Sequence, residues 1–210
     1  MNKKKLQRKI TGSLFIFVSI YYLLVEYMTI TSKTSISNAY LYQPIVDVSI
    51  NSGQIIHELN IESQSILISI AFILLGLMIL IGCFLEINKR INRFEIFYYP
   101  LMIITGVGAI LLGCYYTGIS EVIITISTSY FMFIIGGNLL LIVMGKSVNF
   151  NKVYKKLITL LGFIGLISII LMIVSLNIPT MNIFKVLFER FAIYMIIIWN
   201  ILTGICLINE

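Results

Sequence analysis

Charge is scarce in this chain. Asp, Glu, Lys and Arg make up 11% of its 210 residues, against about 25% in a typical soluble domain. A surface facing water needs that charge for solubility, so the deficit excludes an ordinary soluble protein. Histidine occurs once, as His57. A single imidazole cannot build a multi-histidine zinc site or a bis-histidine haem. The three cysteines, Cys83, Cys114 and Cys206, are odd in number, lack CxxC spacing and lie in apolar runs. They form neither a disulfide framework nor a zinc site and read as small apolar packing residues. No cofactor and no metal are expected. GxSxG, Walker and dinucleotide-binding patterns are absent, which removes the parts of familiar hydrolase and nucleotide chemistry. A Ser–His–acid set would have to use His57.

A formal charge of +6 and a pI near 9.2 raise the question of nucleic acid. The basic residues answer it, because they sit in short runs beside apolar segments. No basic patch with stacking aromatics appears in a soluble stretch, so no nucleic-acid partner is expected.

Apolar length is abundant. Hydrophobic residues make up 59% of the chain, and the mean hydropathy is +1.01. About 20 apolar residues in a helix cross a hydrocarbon core of roughly 30 Å. Six such runs are present, at residues 10–30, 65–85, 96–117, 122–145, 157–176 and 187–208. The fold class is therefore all-α: a polytopic membrane protein with a six-helix transmembrane bundle forming one membrane domain over residues 1–210. The first run follows Lys3, Lys4, Lys5, Arg8 and Lys9 but is longer than a secretory h-region and lacks a small-x-small cleavage site. It reads as a retained signal anchor. Pro100 falls near the first turn of the third helix, where a missing N–H does little harm.

Basic residues orient the bundle. Twelve of the 15 fall on one side: the five just named, then Lys89, Arg90 and Arg93, then Lys146, Lys152, Lys155 and Lys156. The other side holds Lys33 and Lys185, with Arg190 just inside a helix. Cytoplasmic loops carry the excess, so both termini are expected in the cytoplasm of a cell-membrane protein. One longer outer loop covers residues 31–64. Alternation over Ile45–Ile50 predicts a short extended segment there, followed by a turn at Asn51–Gly53. Ile55, Ile56 and Leu59 then form the stripe of a short amphipathic helix at the membrane surface.

Small residues recur four apart on the third helix at Thr105, Ala109, Gly113 and Thr117, and Gly162, Gly165 and Ser168 form a similar face on the fifth. Such faces let helices approach closely within the bundle. If Leu111 and Leu112 face lipid, shortening them should matter less.

Ionisable groups in membrane segments are costly and so mark candidate sites. Glu26, His57, Glu58, Glu121, Glu189 and Arg190 all fall toward the outer interface. Two readings fit them. One is a structural rim in which Arg190 pairs with Glu26, Glu58, Glu121 or Glu189 and sets helix order. The other is a shallow polar pocket for a lipid headgroup or small ligand. A proton-coupled pump would need an acid at mid-depth, and none is there. Asn138 and Asn200 lie deeper, as interhelical hydrogen-bonding amides. Trp199 is a packing residue or a low interface anchor. The pairs Tyr21-Tyr22, Tyr98-Tyr99 and Tyr115-Tyr116 fit interfacial aromatic belts.

Two stretches carry a family likeness: His57-Glu58-Leu59-Asn60 leading to Gly76, and Glu189-Arg190 followed by Trp199 and Gly204. They resemble an uncharacterised six-helix membrane family of bacteria and archaea, catalogued as domain of unknown function 998. The resemblance implies the six-helix layout, with Glu58 at the family's acidic position, and no established reaction. The function expected from the whole sequence is a non-enzymatic subunit or accessory component. Its partners are membrane lipids and other membrane proteins. A small transporter or channel, and a lipid-active enzyme using the outer acidic cluster, are the alternatives.

Overall fold

A computed structural model describes residues 3–33, 63–86, 95–114, 120–147, 151–178 and 184–209, with side chains over 5–29, 67–82, 96–114, 127–146, 151–178 and 184–209. Among the described residues there are six helices: α1 (Lys3–Lys33), α2 (Ser63–Glu86), α3 (Glu95–Cys114), α4 (Ser120–Ser147), α5 (Lys152–Asn177) and α6 (Lys185–Asn209). No strand occurs among the described residues. Five helices are long and apolar enough to cross a membrane; α2 contributes a shorter apolar stretch, Leu67–Gly82. The expected extended segment at 45–50 and surface helix at 54–62 lie outside the described residues.

Two helices begin more than a turn before their apolar runs. α1 starts at Lys3 and α5 at Lys152, because Lys, Arg, Gln and Leu are good helix formers whether or not lipid surrounds them. On α5 the Asn151 side chain accepts from the Val153 N–H at 3.3 Å and caps the first turn. α3 starts at Glu95, so Pro100 sits in its second turn and the Ile96 carbonyl loses its usual i+4 donor.

Successive helices are antiparallel neighbours, and α1 also packs on α6, closing the bundle. α4 touches α6 directly, so α5 lies outside that pair and buries only about a third of its span. Both termini lie at one end, here called proximal, where Gly12 of α1 meets Gly204 of α6. A Cβ built on either glycine falls 2.6 Å from the other's carbonyl oxygen. Between lipid-bathed helices no hydrophobic force remains, and such close approach supplies the van der Waals contact that holds them.

The outer surface of the bundle is apolar, as a soluble bundle's is not, and polar side chains share the interior with apolar ones. On α1 the buried positions include Thr11, Ser19, Glu26 and Thr29, while Leu14, Phe17, Ile20 and Leu24 are exposed. Both stripes follow the helical period of 3.6. Water would impose the opposite distribution; lipid permits this one. The core is filled with rings: Tyr22 meets Phe72 edge-on at 5.3 Å between centroids, and Phe72 meets Phe133 at 5.9 Å. Edge-to-face pairs add roughly 0.5–1.5 kcal/mol each beyond burial. Phe15 and Trp199 continue this packing toward the proximal end at 6.4 Å.

Thr117 lies outside the described residues; the remaining positions of the small faces are buried, but they serve different neighbours. On α3, Gly113 abuts the Ser69 carbonyl of α2, whereas Thr105 lies against Gly136 of α4. On α5, Gly162 and Gly165 lie against Asn138 of α4. Leu112 does not face lipid: it is 4% exposed, while Leu111 is half-buried. Gly113→Leu should therefore lower the thermal midpoint of the detergent-solubilised protein, since backbone occupies the space required. Leu112→Ala should cost about 2–5 kcal/mol and Leu111→Ala clearly less. Equal effects of the two leucine changes, read by thermal unfolding, would contradict this packing.

Candidate functional site

The candidate site is a charge cluster in the distal half of the bundle, the half opposite the chain termini. Arg190 is the sixth residue of α6, about 8 Å along the axis from the helix start. Its guanidinium donates from Nη1 to Oε1 of Glu26 on α1, forming a salt bridge sealed from solvent, with 1% and 3% of the two side chains exposed. Tyr194, one turn further along α6, donates its hydroxyl to the same oxygen at 3.0 Å. Tyr22, one turn from Glu26, is fully buried within electrostatic reach of Glu26, Arg190, Tyr194 and Glu189. Glu189 is 3% exposed and lies within electrostatic reach of the Tyr130 hydroxyl of α4, which donates to Met172 Sδ of α5 at 3.8 Å.

Helical geometry explains why two adjacent charges act on different helices. Consecutive residues project roughly 100° apart, so Arg190 reaches α1 while Glu189 reaches α4. The register does the rest: antiparallel packing that sets Gly12 against Gly204 carries Glu26 to the level of Arg190. Of the six residues expected to cluster, the structure brings Glu26, Glu189 and Arg190 together. His57 and Glu58 lie outside the described residues. Glu121 falls in the first turn of α4, and its side chain also lies outside them.

Asn138 joins three helices lower down. Its Nδ2 donates to the Ile134 carbonyl of its own helix at 2.7 Å and to the Ala192 carbonyl of α6 at 3.1 Å. Its carboxamide fills the space that a side chain at Gly165 of α5 would need. Near the proximal end, the Tyr154 hydroxyl of α5 and the Thr203 hydroxyl of α6 are 2.7 Å apart. Thr203 already donates to the Trp199 carbonyl, which leaves Tyr154 as donor between them. Asn200, by contrast, is 1% exposed with neither amide atom hydrogen-bonded.

Several aromatic expectations change. Tyr22 and Tyr98 are buried, at 0% and 4% exposure, so they are core residues and no interfacial belt. Trp199 is fully buried and packs on Phe15. Tyr22, Tyr130 and Tyr194 were not expected in the charge cluster. For two of them a signal existed, since each lies four residues from a charged partner, at 22/26 and 190/194. Tyr130 approaches from α4 through tertiary packing alone.

Compared with known proteins, the chain matches no family model, no curated protein and no solved structure.

Chemically, the cluster is a preorganised clasp. A guanidinium this deep is expensive without acceptors, and breaking a buried pair by removing one partner costs about 3–5 kcal/mol. Arg190→Leu should therefore destabilise the bundle by that order, and adding Glu26→Leu should recover part of the loss. A double variant no more stable than Arg190→Leu, measured by unfolding in detergent, would show that the pair is not coupled. Asn200→Leu should raise the midpoint, because it removes an amide whose desolvation is uncompensated. A lowered midpoint would mean that the amide has a partner.

Proposed function

We propose that this protein is a non-enzymatic, multi-pass component of the cell membrane, an accessory or subunit protein that packs against lipid and partner helices. One observation carries the reading. Glu26, Glu189, Arg190, Asn138 and Asn200 are all at most 3% exposed, while the perimeter is built of side chains such as Leu14, Phe17, Phe163 and Ile167. The acids, the arginine and the deep amides of the described spans are turned inward, and most of what faces outward between the helix ends is apolar. That suits lipid and other apolar helices as neighbours. The edge-to-face rings of Tyr22, Phe72 and Phe133 favour a closed core over an open channel.

A small transporter is the second reading. Its support is the recurrence of buried polar groups along the bundle, at Glu26 and Arg190, at Asn138, at Asn200, and at Thr203 with Tyr154. A lipid-active enzyme is less favoured, since Glu26 and Glu189 are sealed. Kinship with the six-helix family resembled by the sequence belongs to the same proposal. It is supported by the number of helices and by Glu189, Arg190, Trp199 and Gly204 on the last one.

Purification in mild detergent tests the function. A protein retained in fixed stoichiometry is the expected result. Solute uptake by vesicles containing the protein alone, lost on Glu26→Gln, would replace the accessory reading with transport. The orientation is part of the same proposal, supported by twelve basic residues against two. In a background without native cysteines, cysteines at Lys4, Asn92 and Asn149 should label only from the cytoplasm, and one at Asn51 only from outside. Labelling of position 92 from outside intact cells would reverse the topology.

A further inference from the structure

α1 and α5 present the same outward pattern from different sequences. On α5, Lys152 and Lys156 are exposed one turn apart, and below them Leu160, Phe163 and Ile167 continue as exposed apolar side chains. On α1, Lys5 and Lys9 are exposed one turn apart, followed by exposed Phe17, Ile20 and Leu24. In each case a pair of ammonium groups tops an apolar strip on one helix face, broken on α1 by exposed Ser13.

The two strips flank one helix. Tyr154 holds the start of α5 to Thr203 of α6, and Gly204, the next residue, holds Gly12 of α1. The lysines of both helices therefore stand at the proximal end on either side of the last turns of α6. Lys146 ends α4 beside them, where Gly145 abuts Lys155. Acidic compensation is thin. No Asp or Glu occurs before Glu26 and none lies between Glu121 and Glu189; the acids that the sequence places toward this end are Glu86 at the end of α2, Glu95 at the start of α3 and Glu210 after α6.

We infer that these two strips are binding faces for anionic phospholipids, with the phosphate-bearing headgroup at Lys152 and Lys156 or at Lys5 and Lys9. The acyl chains lie along the apolar residues below. Dimensions agree: from residue 156 to residue 167 a helix advances about 17 Å, comparable to one leaflet of a roughly 30 Å hydrocarbon core. Charge agrees as well, since each Lys or Arg near an anionic membrane surface contributes about 1 kcal/mol of attraction. A zwitterionic lipid fills the apolar strip equally well but leaves the ammonium groups without net countercharge. The occupant is therefore selected by its headgroup. This inference rests on the reading that lipid surrounds the bundle.

Native mass spectrometry of the full chain in mild detergent, with phosphatidylglycerol and phosphatidylcholine added in equal amounts, tests it. Phosphatidylglycerol adducts should exceed phosphatidylcholine adducts several-fold. The combined change Lys5→Gln, Lys9→Gln, Lys152→Gln and Lys156→Gln should bring the ratio close to one, while Lys33→Gln with Lys185→Gln leaves it unchanged. These lysines are exposed, so the thermal midpoint of the quadruple variant should stay within a few degrees of the parent. Equal retention of both lipids by the parent would overturn headgroup selection while leaving lipid packing in place. No retained lipid would remove both. A ratio unchanged in the quadruple variant would place selectivity elsewhere. Loss of the preference when inorganic phosphate is added at the lipid's concentration would identify a simple anion site instead.

Discussion

The contact between Glu26 and Arg190 is the one on which the arrangement of the bundle depends. It joins the first helix to the last, the pair of neighbours most distant in sequence, and it does so in a medium where neither charge is cheap. A guanidinium in hydrocarbon accepts few substitutes for a carboxylate, so the register of α1 against α6 has little freedom once both groups are buried. Tyr194 reinforces the choice by donating to the same carboxylate oxygen. Further down the seam, the mutual approach of Gly12 and Gly204 brings the backbones together. Polar specificity and backbone proximity thus act at opposite ends of one interface.

A membrane also explains why buried polar residues are tolerated throughout. Ser19, Thr29, Thr105 and Ser168 each donate to the carbonyl one turn back on their own helix. Ser19, Thr105 and Ser168 thereby satisfy their hydroxyls locally and serve mainly as small residues at contacts. Asn138 differs, since it ties α4 to α6 directly and shapes the seat of α5 through Gly165. The outer position of α5 follows from that contact: with α4 and α6 touching, the fifth helix packs over the pair and keeps a broad outward face.

That outward face and its counterpart on α1 give the perimeter a polarity along the membrane normal. Lysines crowd the end where α1 begins and α6 finishes, whereas Glu26, Glu189 and Arg190 in the distal half are drawn inside the bundle. The described residues thus differ between the two ends, one rich in exposed lysines and one that buries the Glu26–Arg190 pair.

Composition alone determined that the chain lives in a membrane, and run length determined the number of helices, because a fixed hydrocarbon thickness imposes a fixed apolar length. The need of Arg190 for a carboxylate was also legible, since the cost of burying an unpaired guanidinium does not depend on the fold. Helix ends were read less well: Lys152, Lys155 and Lys156 look like loop residues by hydropathy, yet helix propensity continues through them. Leu112 and Trp199 could not be placed from sequence either. When every face of a helix is apolar, periodicity no longer separates lipid-facing from core-facing side chains. Which acid Arg190 takes, that Tyr130 arrives from α4, and that α5 stands outside the α4–α6 contact were decided only by tertiary structure. Each depends on register between helices far apart in sequence, and register is set by close packing of small residues whose partners no local pattern names.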